Sequence, residues 1–217
     1  MKIAIIGTSG FVGSALLNEA LLRNLDVLSI TRNKDKISNK NLPSVSSLSI
    51  DIYNVEALTK ALSGVNIVIS AFNAGWRNPN LYNDNMQGFQ DIENASKLAD
   101  VERLIMIGGA GTLKVDGKQL VDNSDFPSSI VSGARSCRDY FNVLKNDIYL
   151  NWTYFAPAPE MNPNVNTGRT GNYRLGSDSP VTDENGISRI SVEDTAVAVL
   201  DEVNNKQFIK KLFTAAY

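Results

Sequence analysis

The chain has 217 residues, one cysteine, no histidine and a formal net charge of −2. That length can bury a full core without disulfides, and the near-neutral charge argues against a general nucleic-acid or membrane surface. The absence of histidine excludes a Ser-His-Asp triad, imidazole metal ligation and imidazole acid–base catalysis. The single Cys137 cannot close an internal disulfide, which fits a reducing cytoplasm, and cannot by itself furnish a structural zinc site. No apolar run approaches the roughly 18 residues of a membrane-spanning helix. The N-terminal IAIIG is too short for the core of a secretory leader and stops at a glycine turn, so no leader is expected.

In chain order, residues 3–7 form a continuous apolar run of the kind a buried parallel strand shows. A helix follows over 11–23 on the spacing of Leu16, Leu17, Ala20 and Leu21. DVLSIT (26–31) and SLSID (47–51) read as the second and third strands. Asn54 is placed to cap a helix over 55–62. NIVISAF (66–72) is the fourth strand, followed by a loop with Gly75, Trp76 and Pro79 and a helix over 83–99. RLIMIGG (103–109) is the fifth, then a polar loop and a helix over 128–146. WTYFAP (152–157) is the sixth and ends at proline. Residues 158–190 are rich in Pro, Asn, Gly and Ser and carry two short strand candidates, 172–175 and 188–190. Ser191 and Asp194 then resemble a capping box opening a last helix, and KLFTAAY reads as a final strand.

This β-α alternation predicts a single α/β domain over 1–217: a Rossmann-type, doubly wound, mostly parallel sheet, with 158–190 as a small C-terminal lobe on the substrate side. Gly7, Gly10 and Gly13 form G-x-x-G-x-x-G between the first strand and the first helix. In that context the first glycine permits the turn, the second admits a pyrophosphate and the third lets the helix pack closely. The phosphates would meet the free N–H groups at the helix start, with Thr8 and Ser9 adding hydroxyls and Phe11 and Val12 completing the turn.

The end of the second strand selects the dinucleotide. An NAD site usually has an acid there, to hold the ribose 2′-hydroxyl. Here the chain reads Thr31, Arg32, Asn33, Lys34, with Lys36 beyond. Arg32 can grip a 2′-phosphate with its planar fork, so NADP is the expected cofactor and NAD the alternative.

On these residues, and on the stretches VISAFN, RLIMIGGAGTL, RTGNYRLG and SRISVEDTAVAVLDE, the chain resembles the atypical short-chain dehydrogenase/reductase superfamily. Within it, the resemblance is to the NmrA-like NAD(P)H-binding proteins of the NADH-flavin reductase type. The resemblance implies that Asp51 and Ile52 lie beside the adenine and that Ala71 and Phe72 flank the cofactor. It also implies that Gly108 and Gly109 border the nicotinamide side and that Ala156 and Pro157 meet its end.

The superfamily's Tyr-x-x-x-Lys pair is absent. Tyr140 and Lys145 are five apart and do not share a helix face, and a loose alignment puts Val131 and Arg135 in the two positions. Tyr140 and Cys137 lie on or beside an apolar stripe, which suits packing. Thr112 is the nearest hydroxyl after the fifth strand and a weak catalytic candidate. An acceptor reduced without a protein acid, such as a flavin or quinone, fits this set better than an alcohol or ketone. Trp76, Tyr82 and Tyr173 are expected to join Phe72 in a planar acceptor pocket. The other reading is a non-catalytic NADP sensor that binds a protein partner, which the missing proton donor favours.

Overall fold

The computed structural model describes residues 1–37 and 42–217, without the side chain of Lys34, one of the cationic groups expected beside Arg32. The chain runs β1 (Lys2–Ile6), α1 (Phe11–Leu22), β2 (Asp26–Thr31), β3 (Val45–Ser49), α2 (Val55–Leu62), β4 (Ile67–Ser70), α3 (Leu81–Leu98) and β5 (Arg103–Ile107). It continues through β6 (Lys114–Val115), β7 (Lys118–Gln119), α4 (Val131–Leu144), β8 (Trp152–Phe155), β9 (Arg174–Gly176), α5 (Val192–Asn205) and β10 (Lys211–Ala216).

The main sheet has the order β3-β2-β1-β4-β5-β8-β10-β9, parallel except for β9, which pairs antiparallel with β10. The chain winds outward from β1 to β3, then returns to β4 and winds the other way. The reversal between β1 and β4 opens the crevice in which such sheets hold ligands, at the carboxyl ends of the strands. Alternate strand residues feed two cores. Ile3, Ile5, Ile69 and Phe213 pack on the face of α1 and α5, and Ala4, Ile6, Val68 and Met106 on the face of α2, α3 and α4. This two-sided burial explains why β1, β4 and β5 read as apolar runs.

Two local outcomes differ from the sequence reading. The polar stretch after β5 contains a hairpin, β6 and β7, turned by Asp116 and Gly117 at φ 51° and 79°. An Asp-Gly pair is the residue signature of such a turn. The strand expected at 188–190 is reduced to a single bridge between Glu160 and Arg189.

The segment between β8 and α5 is anchored by a buried carboxylate. Asp194, fully enclosed in the first turn of α5, accepts from the Thr170 and Gly171 N–H groups at 2.9 and 2.7 Å and from the Thr170 and Tyr217 hydroxyls at 2.6 and 2.9 Å. Its own N–H donates to the capping Ser191 Oγ at 3.0 Å. Four donors satisfy a charge that would otherwise be costly to bury.

Beside it, Arg169 reaches Glu19 of α1 at 2.7 Å, and Arg23 links Glu19 to Asp201 of α5, each at 2.8 Å. Burial works to raise the Glu19 carboxyl, but the hydrogen bonds from Arg169 and Arg23 outweigh it and hold its pKa below the usual glutamate value. One residue on from Asp201 in α5, Glu202 pairs with Arg103 at the start of β5, each side chain only 3% exposed, and Arg103 also donates to Thr153 Oγ1. Glu202 further accepts the N–H groups of Gln207 and Phe208 at 3.0 and 2.8 Å, closing the turn into β10.

Two outcomes are expected. Glu202→Ala strands a buried guanidinium and lowers stability by about 3–5 kcal/mol in urea unfolding, and a loss under about 1 kcal/mol would contradict the role given to the pair. Because the Glu19 pKa is depressed by folding, its contribution is present above the unfolded value of about 4.3 and is lost as pH falls through the lower, folded value. Stability measured against pH should therefore drop on the acid side, and Glu19→Gln should flatten that part of the profile.

Candidate dinucleotide site

The phosphate loop is built by close backbone approach. Gly7 takes φ +88°, and a side chain there would sit 2.7 Å from the Ala71 carbonyl oxygen at the end of β4. A Cβ on Gly13 would lie 2.1 Å from the Gly7 carbonyl oxygen, so only glycine lets α1 start this close to β1. Gly10 is the N-cap of α1 and supplies no side-chain cap. The first N–H groups of the helix thus carry no side-chain acceptor and face the crevice edge, where a pyrophosphate finds hydrogen bonds and a favourable dipole. This glycine cradle and uncapped helix end fit a dinucleotide.

The loop hydroxyls have other duties. Thr8 is buried and its Oγ1 lies 2.7 Å from Ser29 Oγ, while Ser9 Oγ lies 2.7 Å from Thr31 Oγ1. Both tie the loop to β2. Phe11 is exposed at the first position of α1 and Val12 is half-buried beneath it. Beyond β2, the Arg32 side chain is exposed and makes no ion pair among the described residues, while its carbonyl accepts from Ser49 Oγ at 2.7 Å. Asn33 caps a short turn by accepting the Asp35 N–H at 3.0 Å, and Lys36 is exposed in the same turn.

Where the resemblance puts the adenine, Asp51 is exposed and accepts the Tyr53 N–H at 3.3 Å. Ile52 is buried, with Phe72, in the hollow left by Gly88 of α3, where a Cβ would lie 2.3 Å from the Phe72 ring. The Phe72 ring meets Tyr53 and Phe89 edge-on at 6.1 and 5.8 Å, so most of it serves the core. Tyr53, missed in the sequence, is partly exposed between Asp51 and Phe72, with its hydroxyl donating to the Asp84 carbonyl at 3.1 Å. Burial, then the Asp84 charge, raises its pKa, and Arg32 acts in the opposite sense.

Where the resemblance puts the nicotinamide, a Cβ on Gly108 would lie 2.0 Å from the ring of Tyr154, and one on Gly109 would be 3.4 Å from Cys137 Cβ. Tyr154 is buried and donates to the Cys137 carbonyl at 2.9 Å. Burial, then the neighbouring Cys137, pushes its pKa well above the ordinary tyrosine value. Thr112, the candidate hydroxyl, is 1% exposed and its Oγ1 faces Tyr154 Oη at 3.5 Å, inside the fold rather than at the open edge. Burial pushes the Cys137 thiol up to about 12. Tyr140 is buried and donates to Glu93 at 2.5 Å. Ala156 and Pro157 are both buried, so the Ala156 methyl belongs to the core. Arg135 is exposed on α4 with no partner among the described residues.

The expected aromatic pocket is not assembled. Tyr173 packs against the α1–α5 core and donates its hydroxyl to Asp201, on the far face of the sheet from Phe72. The Asp201 carboxylate draws it there, and the sequence spacing carried no sign of that partner. Tyr82 donates to Asp139 of α4 at 2.9 Å. Trp76 remains, 60% exposed, with its ring edge resting where a Gly133 side chain would be, 2.7 Å away. Its loop is held by the Ala74 N–H donating to Asn85 at 2.8 Å, with Asn85 donating to Ser136 at 2.9 Å.

A crossover crevice, a glycine cradle and an uncapped helix start define a nucleotide-binding Rossmann protein. The chain belongs to the NAD(P)H-binding family, whose profile matches residues 7–203. It is an atypical member of the short-chain dehydrogenase/reductase superfamily. It is 31% identical to the uncharacterized protein YwnB of Bacillus subtilis strain 168, over 99% of this chain and 97% of that one. A solved candidate epimerase from Bacteroides thetaiotaomicron is 38% identical with a TM-score of 0.90, covering 100% of this chain and 96% of its own. A solved candidate NADH-flavin reductase from Streptococcus pneumoniae TIGR4 is 30% identical with a TM-score of 0.86, covering 100% and 99%. Among the described residues, no helix is long and apolar enough to cross a membrane, and no cluster of ligating side chains could hold a metal ion.

Gly13→Ala should weaken NAD(P)H binding about tenfold or more, a change of ~1.4 kcal/mol, read by calorimetry. Thermal unfolding of the same variant separates lost binding from lost folding. An unchanged affinity would contradict the close approach of α1.

Proposed function

We propose that this protein is an NADPH-dependent reductase of a planar acceptor, a flavin or a quinone. The observation that carries the reading is the chemistry of the nicotinamide edge. The hydroxyl and thiol groups nearest to it, on Thr112, Tyr154 and Cys137, are turned inward or held protonated by burial. An acceptor that must be protonated by the protein as it is reduced has no donor among these groups. When bound, the nicotinamide supplies the hydride, and solvent can supply the proton to a ring that is intrinsically easy to reduce.

The protein's own work is then binding and orientation. The α1 N-terminus holds the phosphates, Asp51 and Tyr53 border the adenosine, and Gly108 and Gly109 leave room for the ring above β5. The exposed face of Trp76 is the platform on which a planar acceptor stacks. The preference for NADPH rests on Arg32, which is exposed, uncommitted to an ion pair among the described residues, and without an acid beside it at the end of β2. The Streptococcus relative, a candidate NADH-flavin reductase, supports the acceptor class.

Oxidation of NADPH with FMN and with a simple quinone tests this reading. Turnover is expected with at least one acceptor, reduced severalfold or more in Trp76→Ala with NADPH affinity kept. Arg32→Ala should remove most of the NADPH preference, about 1.5–3 kcal/mol for a hydrogen bond to a charged group. Tight NADPH binding with no turnover above the uncatalysed rate would overturn the reductase and favour a dinucleotide sensor.

A further inference from the structure

On the α4 side of the sheet, the last helix is α4, and β10 and β9 extend past it. Phe141 of α4 meets the Trp152 ring edge-on at 6.2 Å. A cavity of about 480 Å³ occupies this step, with Phe141, Trp152, Phe208 and Leu212 in its wall. A second cavity of about 420 Å³ adjoins it, sharing Phe141 and Lys145, under the β6–β7 hairpin. Both are open depressions in the surface. The Nε1–H of Trp152 is closed to solvent and finds no acceptor among the described residues. Buried donors are seldom left so.

The rim is strongly basic. Lys114, Lys118, Lys145, Lys210 and Lys211 line the two cavities, against Asp122 and Asp178. Asp122 is taken by Arg138 at 2.8 Å, and Asp178 by Lys114 at 3.1 Å. Lys145 and Lys210 bond only neutral groups, the Asn142 amide oxygen at 2.9 Å and the Ile148 carbonyl at 2.6 Å. No carboxylate pairs with Lys118, Lys145, Lys210 or Lys211 among the described residues. A chain with a net charge of −2 has gathered a surplus of cations around an apolar floor. The groove is remote from the dinucleotide crevice: Trp152, Lys210 and Lys211 stand where β8 and β10 begin, whereas the phosphate loop and the glycines after β5 follow strand ends.

We propose that this groove is a second ligand site, for a free medium-chain carboxylate. The hydrocarbon body lies on Phe141, Trp152 and Leu212, and the carboxylate is held by Lys145 and Lys211. The apolar floor favours a carboxylate with a hydrocarbon tail over a small inorganic anion, and the ammonium groups favour it over a neutral lipid. The site does not depend on the dinucleotide or on the reductase reading.

The chain has two tryptophans, so Trp76→Phe leaves Trp152 as the only indole reporter. Titration of that variant with decanoate, below its aggregation concentration, should give a saturable change in Trp152 emission. Decanol should bind at least tenfold more weakly. Lys145→Gln with Lys211→Gln should weaken decanoate about tenfold while the near-ultraviolet dichroism and thermal midpoint stay those of the parent. The absence of saturation, equal binding of decanol, or indifference to the lysine replacements would overturn the proposal. So would a response to anionic phospholipid vesicles but not to decanoate, which would make the groove a membrane contact. A dimer in sedimentation that dissociates on lysine replacement, with no decanoate binding, would make it an interface between two copies of this chain.

Discussion

The approach of Gly13 to Gly7 governs the placement of everything at the carboxyl edge of the sheet. With the Gly7 carbonyl oxygen 2.1 Å from where a Gly13 side chain would begin, α1 is seated directly on the end of β1. Gly7 is itself pressed against the carbonyl of Ala71, the residue after β4. The turn therefore sits at the one place where the strand order reverses, and the first N–H groups of α1 open into the crevice between β1 and β4. Moving the helix out by the width of a methyl group would withdraw those donors from a bound pyrophosphate. It would also disturb the Thr8–Ser29 and Ser9–Thr31 bonds that fix the loop to β2, and with them the position of Arg32.

A second set of constraints holds the chain where the sheet alone would not. Residues 158–190 carry little regular structure, yet Asp194, Glu19 and Asp201 gather the stretch 168–173 onto α1 and α5. Charged groups perform this task because the stretch offers few apolar side chains to bury. Satisfied carboxylates give it a definite geometry instead. One consequence is that Tyr173 is committed to Asp201, and of Trp76, Tyr82 and Tyr173 it is Trp76 that stays largely exposed and without a hydrogen-bond partner among the described residues.

Much of this was legible in the sequence. The strands β1, β4 and β5 are largely apolar runs because both faces are covered, and the glycine spacing marks the phosphate-loop turn from residue types alone. Arg32 at the end of β2 could be read for the same reason: its position follows from one strand and one turn. What the sequence hid depends on long-range partners. Thr112 looked like a free hydroxyl after β5, but Tyr154, 42 residues on, occupies the space beneath it. Phe72 looked like a cofactor wall, but Gly88 makes a hollow for its ring. Tyr53 and Tyr154 lie beside or within strands read for their apolar pattern, and nothing local to either tyrosine marks its partner. The hairpin at 114–119 was the one local feature missed, although its Asp-Gly turn was present.

An anion-ready helix start stands beside a guanidinium that makes no ion pair among the described residues, and calorimetry on the unmutated protein tests their joint role most directly. NADPH, NADH and 2′-phospho-ADP-ribose would be titrated separately at one ionic strength. NADPH and 2′-phospho-ADP-ribose are expected to bind comparably, each about tenfold or more tighter than NADH, ~1.4 kcal/mol. Equal affinity for NADH and NADPH would contradict the role of Arg32, and no binding of any of the three would contradict the site itself.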